Sequence, residues 1–233
     1  MNKVAVIIPT LNEAGNIRSL VNELRAVGIE NVIVVDNGST DATAAEARSA
    51  GARVVAEPRR GYGYACAAGV AAAADADIVA FIDGDYSYLP SELPMLLAPI
   101  LAGQADLVLG SRPLGQISQG ALPAHQRFGN WLASRLMNAL YGLHLTDLGP
   151  YRAIRRPLLL SLDMREMTYG WPTEMMVKAA RRGARLVEVP VTSHPRRAGR
   201  SKVSGTLRGS VLAAWFILGV TIRYSIKDKS KGS

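Results

Sequence analysis

Apolar residues fall in short unbroken runs at positions 4–8, 32–35 and 78–82, and each run ends abruptly on polar residues. Four or five apolar positions with no alternation predict strands buried on both faces, as in a parallel sheet. Between the runs the period changes. Leu20, Val21, Leu24 and Val27 form a helical stripe, with Arg18, Glu23 and Arg25 on the other side. Asn12 is placed to cap that helix and Gly28 to close it. A short strand at 53–56, an alanine-rich helix at 65–74, a helix opening at Pro90 or Ser91, and a strand at 107–109 complete the first half. Five strands alternating with helices predict an α/β fold with right-handed crossovers into one mostly parallel sheet.

Beyond Arg112 the pattern changes. Residues 113–124 are rich in Gly, Pro, Gln and Ser and predict a loop. A helix is predicted over 125–141, with Trp131, Leu132, Leu136 and Leu140 at helical spacing; Trp131 reads as core or membrane-facing bulk rather than a sugar platform. Asp147 sits in a tight turn before a short strand. A helix over 173–182, carrying Glu174, and a last strand over 185–191 lead to His194-Pro195-Arg196-Arg197-Ala198-Gly199-Arg200-Ser201-Lys202. From 205 to 226 an apolar helix bordered by Arg208 and Arg223 is predicted, followed by Lys227, Lys229 and Lys231. Such a helix can lie in a membrane interface, pack on the sheet or form a dimer contact.

Composition narrows this picture. At 233 residues the chain suits one sizeable core with an appendage. The single cysteine, Cys66, excludes an internal disulfide and reads as core filler. The apolar run at 4–8 is too short for a signal peptide, and no run reaches the length of about 18–20 residues needed to cross a bilayer. Charge is divided unevenly: residues 1–110 carry 7 Lys+Arg against 13 Asp+Glu, whereas residues 111–233 carry 20 against 6. A basic second half can serve nucleic acid, an anionic membrane or a phosphorylated substrate. No nucleic-acid module or aromatic-interleaved basic stripe is present, which argues against the first.

Candidate chemistry collects at the ends of the predicted strands, where open α/β sheets bind ligands. The run at 78–82 stops at Asp83-Gly84-Asp85, two carboxylates that can share a hard divalent cation with a ligand's phosphates. Glu13 follows the first strand. Asp36 ends the second, where it suits a ribose or base and equally a turn. The glycines of Arg59-Arg60-Gly61-Tyr62-Gly63 precede a helix, where they either expose N–H groups to an anion or form a plain loop. The cations at 196–202 suit phosphate oxygens.

Taken in order, the segments VAVIIPTLNEAGNI, VIVVDNGSTDAT, RRGYGYACAAG, FIDGDYSYLP, GSR, TDLGPYRAIRR, YGWPTEMMVKAARRG and VPVTSHPRRAGRSKVSGTLRG resemble family 2 glycosyltransferases of the GT-A fold. The nearest likeness is to the polyprenyl- or dolichyl-phosphate mannosyl- and glucosyltransferases. The resemblance implies a Rossmann-like, mostly parallel sheet flanked by helices and followed by a C-terminal amphipathic helix. It implies a catalytic domain at 1–204, with a nucleotide-sugar half (1–112), an acceptor half (113–204) and a terminal helix and tail at 205–233. Pro9, Thr10, Glu13 and Asp36 would line the nucleoside pocket, and Gly61 would approach the donor. Asp83 and Asp85 would hold the nucleotide and Mg²⁺ or Mn²⁺. Where some members place a further Gln ligand, this chain has Ser87. Arg112, Arg127 and Ser134 would receive the acceptor phosphate, with Arg127 also counted among the catalytic residues. Asp147 would be the family's essential acid, and Arg200 and Lys202 would close over the diphosphate. The expected partners are a nucleotide-sugar donor, a polyprenyl phosphate acceptor and an anionic membrane surface met through the terminal helix. This places the protein peripherally on the cytoplasmic face of the membrane, with the oligomeric state left open.

Overall fold

The structure, a computed structural model, describes residues 3–199 and, near the C-terminus, residues 219–221 and 223–224. Its strands are β1 (Val4–Thr10), β2 (Asn31–Asp36), β3 (Arg53–Ala56), β4 (Ile78–Phe81), β5 (Leu107–Ile117), β6 (Arg152–Arg155) and β7 (Leu186–Ser193). The helices are α1 (Ala14–Ala26), α2 (Thr43–Ser49), α3 (Tyr62–Ala72), α4 (Leu93–Leu101), α5 (Ala124–Tyr141), α6 (Arg156–Ser161) and α7 (Trp171–Arg181).

The seven strands form one sheet in the order β3-β2-β1-β4-β6-β5-β7. All pairings are parallel except those of β6, which runs antiparallel to both β4 and β5. The predicted α/β architecture of the GT-A type is present. The unbroken apolar runs have a direct cause, because the sheet is covered on both sides. Val6, Ile8, Val32 and Val34 face one core with Leu20, Leu24 and Leu96. Ala5, Ile7, Ile33 and Val35 face the other with Cys66, Met175 and Trp171. Gly69 of α3 lies against Ile7, where a Cβ would approach the Ile7 side chain to clashing distance. The alanine- and glycine-rich composition of α3 thus lets the helix sit low on the sheet.

Two local expectations are corrected, and one short helix is added. Residues 113–117 are strand rather than loop: β5 continues to Ile117, with a register break against β7 between Ser111 and Gln116. The glycine that made this stretch read as a loop is needed for the pairing, since a Cβ on Gly115 would collide with the Val191 backbone. Asn12 is not the α1 cap; Glu13 holds that position, while Asn12 adopts a φ of 55° and accepts a hydrogen bond from Thr40 N at 2.8 Å. The short α6 was not anticipated. Six residues cannot display a helical period.

The predicted terminal helix lies largely outside the described residues. Those described are helical and held against the protein: Val220 and Thr221 are buried, and the Tyr224 hydroxyl donates to Glu174 Oε1 at 2.5 Å.

Candidate active site

The parallel strands β1, β2 and β4 deliver their C-terminal ends to one edge of the sheet. Thr10 pairs in register with Asp36, and its hydroxyl donates to Val35 O at 2.9 Å. Asp36 Oδ1 accepts Ser39 N at 2.9 Å, so one of its oxygens is committed to the turn. Pro9 stands one residue back, paired with Val35. Gly84 lies beside this tip, and a Cβ there would meet Thr10 Cγ2 at 2.8 Å. The glycine between the two carboxylates is therefore required by packing.

Asp83 and Asp85 meet different neighbours. The Tyr62 hydroxyl donates to Asp83 Oδ1 at 3.4 Å. Burial, reinforced by the charge of Asp85, pushes the Asp83 carboxyl up to about 7; Tyr62, Arg112 and Arg196 act the other way. Asp85 accepts Ser87 N at 3.0 Å, and its Oδ2 lies 3.5 Å from Arg196 Nη2. The Arg196 guanidinium forks onto Glu13, with Nη1–Oε2 at 2.7 Å and Nη2–Oε1 at 2.8 Å. One arginine thus joins an acid from the β1–α1 junction to the second acid of the pair.

The loop after β7 is folded over this edge. His194 N donates to Ser87 O at 2.9 Å, Arg197 N to Asp85 O at 3.3 Å, and Asn16 Nδ2 to Ala198 O at 3.2 Å. The Arg197 guanidinium lies 5.0 Å from the centre of the Tyr86 ring. Arg200 and Lys202 lie outside the described residues.

The antiparallel β6 explains how Asp147 reaches the same edge. Because β6 runs backwards, its first residue, Arg152, pairs with Phe81 of β4 and Leu109 of β5. The turn before it lies past the end of β4 and beside residues 110–112 of β5. Asp147 is fully buried there. Its carboxylate accepts Arg112 Nε at 2.7 Å, Arg112 Nη2 at 2.6 Å and Arg112 N at 2.8 Å. A two-point fork of this kind fixes the plane of a guanidinium as well as its position. Arg112 keeps 15% of its side-chain surface exposed, enough to present an edge to a ligand.

Three residues not singled out from the sequence build the turn. Glu188 of β7 accepts Thr146 N at 2.9 Å and Asp147 N at 2.9 Å. Asn130 of α5 donates to Thr146 O at 3.1 Å and accepts Leu148 N at 3.0 Å. Arg152 is buried and donates to the carbonyls of Gly149 and Pro172. Tyr62, likewise not singled out, acts on the donor side through Asp83. The one visible signal was Glu188, an acid inside the apolar strand LVEVPVTS.

The remaining candidates are placed differently. Ser134 is buried on the inner face of α5 with a hydroxyl that has no partner, whereas Arg127 is exposed on the first turn of that helix. Gly61 offers its N–H to Asn37 Oδ1 at 2.9 Å rather than to open space. A Cβ on Gly63 would lie 2.5 Å from Glu166 O and Met167 Cα. These glycines allow a close approach of two backbones, residues 61–63 against residues 166–167.

A mostly parallel sheet thus brings acids on adjoining strand tips beside the buried Arg112–Asp147 fork, which lies between β5 and the turn before the one reversed strand. The chain belongs to Glycosyl transferase family 2, whose sequence profile matches residues 5–162. It is 42% identical over 211 residues to an uncharacterized glycosyltransferase of Mycobacterium tuberculosis, covering 90% of this chain and 94% of the relative. It is 34% identical over 235 residues to the undecaprenyl-phosphate mannosyltransferase of Micrococcus luteus, covering 95% and 96%. Among solved structures, glucosyl-3-phosphoglycerate synthase from M. tuberculosis, in complex with Mn²⁺, UDP-glucose and phosphoglyceric acid, superposes with a TM-score of 0.79. That match has 27% identity and covers 96% of this chain and 80% of that one. The protein is a glycosyltransferase.

Proposed function

We propose that this glycosyltransferase moves a hexose from a nucleotide sugar, GDP-mannose or UDP-glucose, to a polyprenyl phosphate, with inversion at the anomeric carbon and with Mg²⁺ or Mn²⁺. The observation that carries the reading is the pairing of two opposite charges at one sheet edge. The Asp83–Asp85 pair wants a cation, and beside it Arg112, fixed in plane by Asp147, wants an anion. The pairing favours a phosphate-bearing acceptor next to a metal-bound diphosphate.

The carboxylate pair fits a metal of the hard divalent class. Asp83 is held above the usual carboxylate range by burial and by Asp85, the condition a cation relieves. Among the described residues no group of three His, Cys, Asp or Glu side chains could cage an ion. That also fits, because Mg²⁺ commonly takes one or two carboxylates plus substrate phosphates and water. When bound, such an ion neutralises charge developing on the leaving diphosphate. The chain's own residues do the rest. Pro9, Thr10, Glu13 and Asp36 line the nucleoside side, and Arg196 exchanges its contacts to Glu13 and Asp85 for the diphosphate. Arg200 and Lys202 follow it in sequence and would add to the same positive charge. Arg112, with Arg127 and Ser134, receives the acceptor phosphate. A phosphate monoester is already anionic near neutral pH, so no strong general base is required.

The reading keeps residues 1–204 as the catalytic domain and places the protein peripherally on the cytoplasmic face of an anionic membrane. Among the described residues no helix is long and apolar enough to cross a membrane. A second reading, transfer to a small phosphorylated acid, is favoured by the structural likeness to a synthase solved with phosphoglyceric acid. The deciding experiment supplies radiolabelled GDP-mannose or UDP-glucose, Mn²⁺ and a polyprenyl phosphate in detergent, and partitions the products between organic and aqueous phases. EDTA-sensitive organic label is the expected result. Sugar transferred only to phosphoglycerate would overturn the lipid acceptor.

A further inference from the structure

Helix α5 is exposed along a stripe that a soluble surface helix would make polar. Phe128, Trp131 and Leu132 are 62%, 51% and 44% exposed. With Arg135 they occupy positions i, i+3, i+4 and i+7, which is one face of a helix. The two rings are stacked on each other, with centroids 5.8 Å apart and planes inclined by 30°. The Arg135 guanidinium lies 5.6 Å from the Trp131 ring. Arg127 is exposed one turn earlier, and the sequence of α5, AHQRFGNWLASRLMNALY, contains no acid. The opposite face is fixed to the protein: Ala133, Ser134 and Met137 are buried, and Asn130 grips the turn that holds Asp147.

We infer that the outer face of α5 docks onto an anionic lipid bilayer, with Phe128, Trp131 and Leu132 entering the interface and Arg135 meeting lipid phosphates. An apolar stripe bordered by cations is the pattern of interfacial helices, and tryptophan favours the headgroup level because its ring is apolar with one polar edge. Arginine can lay its stem along the apolar surface while its head reaches phosphate. A second copy of the chain fits this face less well, since a two-fold contact would bring the arginines of both helices together without an acid on either. The surface gains its purpose from the proposed lipid acceptor. The same helix carries Ser134 and, through Asn130, steadies the Arg112–Asp147 fork, so a bilayer on its outer face would present a lipid phosphate beside that fork. The docking site differs from the terminal helix, to which membrane contact was ascribed from the sequence.

The test is flotation of the full-length protein with phosphatidylcholine vesicles, with and without phosphatidylglycerol, comparing wild type with F128S/W131S and with R135E. Both variants replace exposed side chains outside the candidate active site, so the melting temperature should be unchanged. The expected result is binding that requires phosphatidylglycerol, weakened at least about tenfold in F128S/W131S and less in R135E. Equal flotation of wild type and F128S/W131S would overturn the inference and move the contact elsewhere on the chain. Absence of flotation by wild type would overturn it too, as would a dimer in sedimentation that F128S/W131S dissolves. Transfer to a short-chain prenyl phosphate soluble without vesicles reads the acceptor assignment separately. No such transfer together with intact, Trp131-dependent flotation overturns the acceptor and supports the docking face; transfer without flotation does the reverse.

Discussion

The two sides of the candidate active site arrive at the same sheet edge by different routes. The donor side is assembled from the tips of β1, β2 and β4, three parallel strands that start in near register and point the same way. Each contributes its residues within a few positions of an apolar run. The acceptor side depends on β6, a reversed strand of four residues inserted between β4 and β5. Asp147 reaches Arg112 across 35 residues of chain, and its turn is steadied by Glu188 and Asn130 from two further elements. Local sequence specifies the first kind of site; tertiary pairing specifies the second.

The sharpest way to break the comparison is on the donor side. Asp85→Asn removes a charge from the carboxylate pair while keeping shape, and Arg196 retains its fork on Glu13. Turnover should fall by about a thousandfold, in the range seen when electrostatic stabilisation of a leaving group is lost. The melting temperature should stay within a few degrees. Turnover near wild type would remove Asp85 from the chemistry.

On the acceptor side the same kind of change should unfold as well as inactivate. Asp147→Asn leaves Arg112 largely buried without its counter-charge, and breaking such a pair from one side costs about 3 kcal/mol or more. A urea titration reads this directly. Pairing the change with Arg112→Met should recover most of the stability and none of the transfer. If the double variant is as unstable as the single one, the fork is not what holds the turn.

This contrast also explains what could be read from the chain alone. The strands, their order along the sequence and the acids at their tips were legible because buried parallel strands show unbroken apolar runs. Asp147 was legible only through family resemblance, since nothing local marks an acid in a turn as the partner of Arg112. Residues 113–117 were misread because Gly115 signals a loop unless one knows that the Val191 backbone lies against it. Glycine carries both messages, and only the neighbour decides between them.

Gly63→Ala sharpens that point with a smaller effect. The added methyl would overlap the backbone at Glu166 and Met167, a collision that typically costs about 1–3 kcal/mol. The loss should appear in unfolding by urea. A variant of normal stability with a raised KM for the nucleotide sugar would instead support the anion-cradle reading of this loop.

The smallest expected effect is a slope with pH. Asp83 titrates near 3.8 in an unfolded chain and is raised to about 7 in the fold by burial and by Asp85. The folded state therefore holds a proton that the unfolded state releases between these values, and stability falls as protons become scarce. The contribution is fully present below pH about 4 and is lost as pH rises through about 7. Asp106, held down to about 2 by its hydrogen bonds from Arg185, acts in the opposite direction at more acidic pH, whereas Glu188, raised by burial, adds to a decline above pH 4. Urea midpoints of the metal-free protein should accordingly decline from pH 5 to pH 7.5, and Asp83→Asn should flatten the decline. Saturating Mn²⁺ with nucleotide diphosphate should flatten it as well, because a bound cation takes the place of the proton. A decline that persists unchanged in Asp83→Asn would assign the slope to another group and leave Asp83 as an ordinary ionised carboxylate.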